Sequence, residues 1–312
     1  MSGRRFIFFF IDGIGVNSNE QNNPFLIPEN KFFLQSLKGT TAIPFNGNIK
    51  KIDASLKTPG IPQSATGQTS LFSGINAAQY LGCHLTAFPN QKLRALLIKK
   101  NILKQFINAG KKAVFINTYP VARDIMQDIK IDRGGRISDS KRSARIAHRL
   151  SATTVMALST GQLFFNARDL MNERSVYQDF TNELLKNRIP GIQRFTPQRA
   201  GSVLAHNHLS YDLTLYEYFQ TDKAGHSREP ARCREQVKRL NLFLTGLLQN
   251  LDLTVTTLIV TSDHGNMEDL STGAHTCNPV PLLVWGPEKK KILQSESLVD
   301  IVPQLNKAAS LK

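Results

Sequence analysis

A chain of 312 residues is long enough for one large α/β domain and a smaller insertion. With 41% hydrophobic and 20% charged residues it has the composition of an ordinary globular protein, and no stretch approaches the roughly 18 apolar residues of a membrane span. Cys83, Cys233 and Cys277 are widely spaced and form no CxxC, which argues against a disulfide framework.

The net charge of +15 suits steering of anionic substrates or affinity for nucleic acid. The basic residues are spread along the chain, however, and no RNP, zinc-finger or KH signature accompanies them. They read as solvated helix faces, and no specific nucleic-acid partner is expected.

The opening "MSGRRFIFFFIDG" imitates a signal peptide, with two arginines before an apolar run. That run is short, and Asp12 ends it without a small-residue cleavage site. It reads as a buried first strand, with Asp12 at its end and Gly13 and Gly15 allowing a tight turn. A cytoplasmic protein with no membrane association is expected. Residues 17–60 are richer in Asn, Pro and Lys and predict loops around short elements. "QKLRALLIKKNILKQFINAG" (91–110) predicts a helix with Gly110 as its C-cap, and "KKAVFINTYP" a strand after it.

From about 122 to 199 the chain turns basic and poor in buried-strand signals. "LMNERSVYQDFTNELLKN" predicts an amphipathic surface helix there. The segment reads as a cap-like insertion between two parts of a core, 1–121 and 200–312. "DLTLYEYFQTDKAGH" (212–226) returns to strand character. "REPARCREQVKRLNLFLTGLLQN" places Val237, Leu240, Leu244 and Leu248 on one helical face, and "TTLIVTSD" and "VPLLVWGP" supply further strands. "HNH" at 206–208 reads as surface, because alternate residues of an extended chain point to opposite faces. Strands alternating with helices predict a mostly parallel sheet covered on both faces.

Polar clusters fall at the strand ends or in the loops after them: Asp12, "SATGQ" from Ser64, "TDKAGH" with Asp222 and His226, "SDHG" with Asp263 and His264, and "GAHTCNP" with His275. One Asp-His-Gly alone is a common polar strand end. Together the clusters supply three carboxylates, three imidazoles and a hydroxyl, enough for two adjacent divalent metal sites. A serine hydroxyl needs such help, because its pKa is too high for a good nucleophile at neutral pH. Asp222 and His226 can converge if their loop turns helically.

In this order, "DGIG", "SATGQ", "DKAGH", "DHGN" and "HTCNPVPLLVWG" resemble the alkaline phosphatase superfamily of binuclear metalloenzymes. The nearest branch is that of the cofactor-independent phosphoglycerate mutases and phosphopentomutases. The resemblance implies a three-layer α/β sandwich with a mostly parallel central sheet and a small inserted cap. It implies that Asp222, His226 and His275 hold one metal, and that Asp12, Asp263 and His264 hold the other with Ser64 as nucleophile. It also implies two Mn2+ or Zn2+ ions and phosphoryl transfer on a phosphorylated small molecule through a phosphoserine, as a phosphomutase or phosphomonoesterase. Gln68 stands where these mutases usually have His.

Phosphodiester or phosphonate hydrolysis on the same site is the nearest alternative. A non-catalytic basic nucleic-acid-binding protein predicts lost ligands, whereas all seven positions are filled. Thr66 is second choice to Ser64 as nucleophile. Lys223 and Asn266 adjoin ligands and could touch a phosphoryl oxygen. Arg123, Arg133 and Arg136 could reach a phosphate from the cap, since guanidinium binds it bidentately.

Overall fold

The computed structural model describes residues 4–19, 21–33, 41–120, 123–139, 141 and 143–311. Its centre is strand β1 (Arg5–Ile11). Phe6, Phe8 and Phe10 face one hydrophobic core, while Ile7, Phe9 and Ile11 face a second. A strand that buries both sets of alternate side chains must be covered on both sides, so this one stretch dictates a layered sandwich. Burying each of its four phenylalanines contributes roughly 1.5–3 kcal/mol.

The other strands are β2 (Ala42–Ile43), β3 (Gly47–Ile52), β4 (Ala113–Phe115), the small β5 (Lys130–Ile131) and β6 (Ile137–Ser138) pair, β7 (Leu213–Tyr218), β8 (Thr256–Thr261) and β9 (Val280–Trp285). The main sheet has seven strands in the order β2-β3-β9-β8-β1-β7-β4. β4, β7, β1 and β8 are mutually parallel, with Phe9 opposite Tyr216 on one side and Val260 on the other. β9 runs antiparallel to β8. Its start therefore lies at the edge where β1, β7 and β8 end. A residue just before β9 reaches the same place as residues just after the other three.

One face is covered by helices α1 (Ser64–Ser73), α2 (Gln91–Lys99), α3 (Ile102–Asn108) and α4 (Ala152–Ser159). The other carries α5 (Pro197–Asn207), α6 (Gln220–Ser227) and α7 (Pro230–Gln249). Helix α8 (Ile301–Ala308) returns to the first face. On α7, Val237, Leu240, Leu244 and Leu248 are buried, as their spacing predicts. No helix among the described residues is long and apolar enough to cross a membrane.

Three local expectations fail for visible reasons. The helix predicted over 91–110 is two helices, because Lys100 is extended (φ −145°, ψ 114°) and the Asn101 side chain caps α3 by accepting the Lys104 N–H at 2.9 Å. The surface helix expected over 170–187 stops after Met171. There Phe180 and Asn182 adopt positive φ, and Val176 exchanges backbone hydrogen bonds with Ile116 and Thr118. Finally, His208 of "HNH" is buried and lies 3.0 Å from Thr256 Oγ1 through Nε2.

Within 122–199, Met126, Ile129, Leu150, Val155 and Phe164 pack into the same core as Phe6 and Phe8.

Candidate metal centre

Asp12 follows β1 directly, and the chain turns at once through Gly13 at φ +73°. A Cβ on residue 13 would sit 2.8 Å from Asp222 Oδ1, so only glycine allows the β1 turn and α6 to approach this closely. Asp222 and His226 lie one turn apart on α6, which brings their side chains to the same side. Asp263 and His264 follow β8, and His275 precedes β9. The sheet edge thus gathers all six ligand-type residues.

They form two groups, and within each the ligand atoms lie within 4.8 Å of one another. In the first, His226 Nε2 is 3.4 Å from Asp222 Oδ2, His275 Nε2 is 3.5 Å from Asp222 Oδ1, and the two Nε2 atoms are 3.3 Å apart. In the second, His264 Nε2 lies 3.2 Å from Asp12 Oδ1, 3.5 Å from Asp263 Oδ2 and 2.9 Å from Ser64 Oγ. The His264 and His275 rings stack with centroids 3.7 Å apart, so the two groups share a wall.

The electrostatics fit divalent cations. Burial, with the Asp263 charge beside it, pushes the Asp12 carboxyl up to about 7. Burial also raises Asp263. Burial alone would lower His264, but Asp263 and Asp12 outweigh it and push the imidazole up to about 10. Left to itself, the cluster needs protons to offset its crowded carboxylates; a cation supplies that charge and leaves the imidazoles neutral. Asp12 Oδ1 is buried and, although His264 Nε2 lies 3.2 Å away, makes no hydrogen bond of good geometry, which leaves it available to a cation. Two imidazole nitrogens facing each other across a carboxylate form a set that could hold a divalent cation.

A second layer of contacts holds the ligands. Gln68 Nε2 donates to Asp12 Oδ2 at 3.2 Å and to Asp263 Oδ2 at 3.0 Å, tying the two carboxylates together. Asn266 Nδ2 donates to Asp222 Oδ1 at 2.7 Å. Glu268, fully buried, escaped the sequence reading. It accepts the N–H groups of Gly15 and Asn266 at 2.8 and 2.7 Å, the Thr276 hydroxyl, and Asn278 Nδ2 at 3.0 Å. The Thr and Asn of "HTCNP" thus anchor the His275 loop to the β8 loop.

Ser64 is the first residue of α1, where the helix dipole favours an anion, while the next amide, that of Ala65, donates to the Leu85 carbonyl at 3.2 Å. A Cβ on Gly67 would meet the Asp263 carbonyl at 2.8 Å, so this helix start sits directly against the β8 loop. Thr66 points elsewhere: its hydroxyl donates to the Gln63 carbonyl at 3.2 Å and accepts the Leu85 N–H at 3.2 Å.

Asp12, Ser64, Gln68 and Asp222 form one end of a 610 Å3 cavity. Lys223 lines it too, with Nζ 4.5 Å above the Phe219 ring. Arg133 and Arg136 are exposed in the β5–β6 hairpin region and do not line it, and the Arg123 side chain lies outside the described residues. Among the described residues, the lining arginines are Arg149 and Arg188, which sequence reasoning did not single out.

Residues 198–312 match a family model described as the Metalloenzyme superfamily. 2,3-Bisphosphoglycerate-independent phosphoglycerate mutases of Pseudomonas aeruginosa and Ehrlichia canis are 33% and 29% identical to the chain over 102 residues. That stretch is 30% of this chain and only 20% of either mutase. Over the full length, the alkaline phosphatase of the Antarctic bacterium TAB5 superposes with a TM-score of 0.55 at 15% identity, covering 100% of both chains. A Leishmania mexicana phosphoglycerate mutase gives 0.52 at 11% identity, covering 99% of this chain and 96% of its own. The structural likenesses speak to the fold, and they agree with the three-layer sandwich and mostly parallel sheet expected from the sequence. The C-terminal segment is thus similar to the Metalloenzyme superfamily, and the fold of the whole chain is similar to that of an alkaline phosphatase.

Proposed function

We propose that the chain is a two-metal phosphoryl-transfer enzyme acting on a phosphorylated small molecule through Ser64, as a phosphomutase or phosphomonoesterase. The observation that carries this is the placement of Ser64 Oγ, 2.9 Å from His264 Nε2 at the start of a ten-residue helix. Asp222, His226 and His275 would hold one cation, and Asp12, Asp263 and His264 the other, Mn2+ or Zn2+. When bound, such cations favour the serine alkoxide and take up charge on the phosphoryl oxygens.

The chain's own residues do the rest. The positive end of the α1 dipole would favour the phosphoryl group once it is on Ser64. Lys223 adds a positive charge to the same cavity wall. Asn266 spends its amide on Asp222 and so acts by positioning that carboxylate. From residues 122–199, Met126, Ile146, Leu150, Tyr177 and Leu185 line the cavity and would limit water there.

The test combines metal analysis with phosphorus NMR. The Mn-loaded protein is given 2- and 3-phosphoglycerate and the 1- and 5-phosphates of ribose and deoxyribose, together with simple phosphomonoesters. Phosphate moving within one compound makes it a mutase, and inorganic phosphate makes it a monoesterase. Absence of bound metal together with absence of turnover would overturn the reading.

A further inference from the structure

Lys223 adjoins the candidate ligand Asp222, but the two arginines that line the same cavity have no task in the reading above. Arg149 lies just ahead of α4 and Arg188 just after Leu185, on separately packed segments. Leu150, next to the first, is buried in the core that holds Phe6 and Phe8. Leu185 packs instead with Leu170 and Tyr177. Two guanidiniums thus enter one cavity from two different supports.

Neither has a counter-ion. Among the described residues the two side chains form no hydrogen bond and no ion pair. Acids of the surrounding segment are engaged elsewhere: Asp169 with Arg174 at 2.8 Å, Glu183 with Arg194 at 3.0 Å, and Glu173 with Arg199. Asp179 accepts the N–H groups of Asn182 and Leu184, each at 2.8 Å. Of the acids that line the cavity, Asp12 and Asp222 are candidate metal ligands. The third, Glu217, accepts the Thr153 hydroxyl at 2.7 Å, and burial pushes its carboxyl up to about 8, which keeps it uncharged at neutral pH.

A phosphate at Ser64 does not need these arginines. The two candidate metal groups and Lys223 already offer it positive charge. Each guanidinium presents a planar fork of donors that matches phosphate oxygens, and two such forks match the two charges of a further phosphate. The cavity has room for it: 610 Å3 far exceeds what a three-carbon acid fills and lies within the roughly 300–1,000 Å3 typical of sites for larger organic ligands.

We propose that Arg149 and Arg188 form a second anion subsite and that the substrate is a bisphosphate, with one phosphate monoester at Ser64 and a second phosphate, at the other end of the same organic body, held by the two guanidiniums. This deepens the phosphoryl-transfer reading above and rests on it.

The test sets α,ω-alkanediol bisphosphates, from ethane to octane, against n-alkyl monophosphates of the same lengths. In the full chain loaded with Mn2+, the ratio of kcat/KM for bisphosphate over monophosphate, corrected for the two equivalent ends, is expected to peak at one chain length. The peak should reach about tenfold or more, the scale of one hydrogen bond to a charged group. It should shrink at high salt. Both arginines are exposed, so Arg149→Gln and Arg188→Gln should fold normally, and each is expected to bring the ratio toward unity. Arg149→Lys, which keeps the charge but loses the fork, should lower it less. Calorimetric binding of the matching bisphosphonates and alkylphosphonates reads the same ratio without turnover.

If monophosphates are turned over but no bisphosphate exceeds them, or the glutamine variants keep the unaltered ratio, the second subsite fails and phosphoryl transfer stands. A phosphoglycerate preferred to every bisphosphate overturns the subsite as well. If no phosphate is turned over, phosphoryl transfer fails and binding alone decides. Tighter bisphosphonate binding that is lost in Arg149→Gln and Arg188→Gln upholds the subsite, and equal affinity overturns it.

Discussion

Glu268 accepts the backbone N–H of Gly15 at 2.8 Å, across 253 residues of chain. The same carboxylate takes the Asn266 N–H and the Asn278 amide, so it holds together the loops that carry Asp12, Asp263 and His275. Glu268→Gln exchanges an accepting oxygen for a donor that faces N–H groups. A loss of about 2–3 kcal/mol in stability is expected, measured by urea unfolding, together with weaker metal binding. Unchanged unfolding would mean that the loops hold themselves.

Gln68 should matter for metal rather than for fold. Its amide stands between Asp12 and Asp263 and touches both. Gln68→Leu keeps the bulk but frees two buried carboxylates to repel each other. Metal affinity is expected to fall about 10–100-fold in a competition titration with a fluorescent chelator, the range seen for residues that orient metal ligands.

Removing a ligand should remove one site and not both. Asp263→Ala is expected to lose the cation shared with Asp12 and His264 while Asp222, His226 and His275 keep theirs, as read by elemental analysis after gel filtration. In the unaltered protein, Mn2+ at 100 times its dissociation constant should stabilise the fold by about 2.7 kcal/mol per site. A thermal midpoint indifferent to metal would argue against both groups.

Glu217 gives a pH signature. It sits in β7, lines the cavity and bonds to Thr153 Oγ1 at 2.7 Å, and burial pushes its carboxyl from 4.5 up to about 8. The folded state therefore holds a proton that the unfolded chain releases. The stabilisation is complete below pH 4.5 and is lost as pH rises through 8, at no more than about 1.4 kcal/mol per pH unit. Asp12, raised in the same direction, adds its own slope at lower pH. In chelator, Glu217→Gln is expected to show a shallower fall in stability between pH 5 and 8 than the unaltered chain. Equal slopes would mean that Glu217 ionises normally.

The convergence of the two candidate groups was legible because metal chemistry needs specific residue types, and a sheet edge can supply them only from strand ends. Asp12, Asp222, Asp263 and their histidines follow that rule, and His275 joins them because β9 runs antiparallel. The central strand was equally legible, since a run like Phe6–Ile11 has no soluble alternative to burial on both faces.

What could not be read depends on partners far away in the chain. Asn101 ends a helix that the apolar spacing would have continued. The 170–187 segment gives up helical periodicity so that Val176 can pair with Ile116 and Thr118 and Phe180 can stack on Tyr218. Arg149 and Arg188, rather than Arg133 and Arg136, reach the cavity because of how residues 143–199 fold against the sheet, which no local pattern encodes.

The central claim is that Ser64 carries the phosphoryl group. The most direct measurement is rapid acid quenching of the Mn-loaded protein with a turned-over phosphomonoester, followed by intact-mass and peptide mass spectrometry. The expected result is one added phosphoryl group, located on Ser64, absent from Ser64→Ala and retained in Thr66→Val. A phosphoryl group on Thr66, or steady turnover by Ser64→Ala, would contradict it.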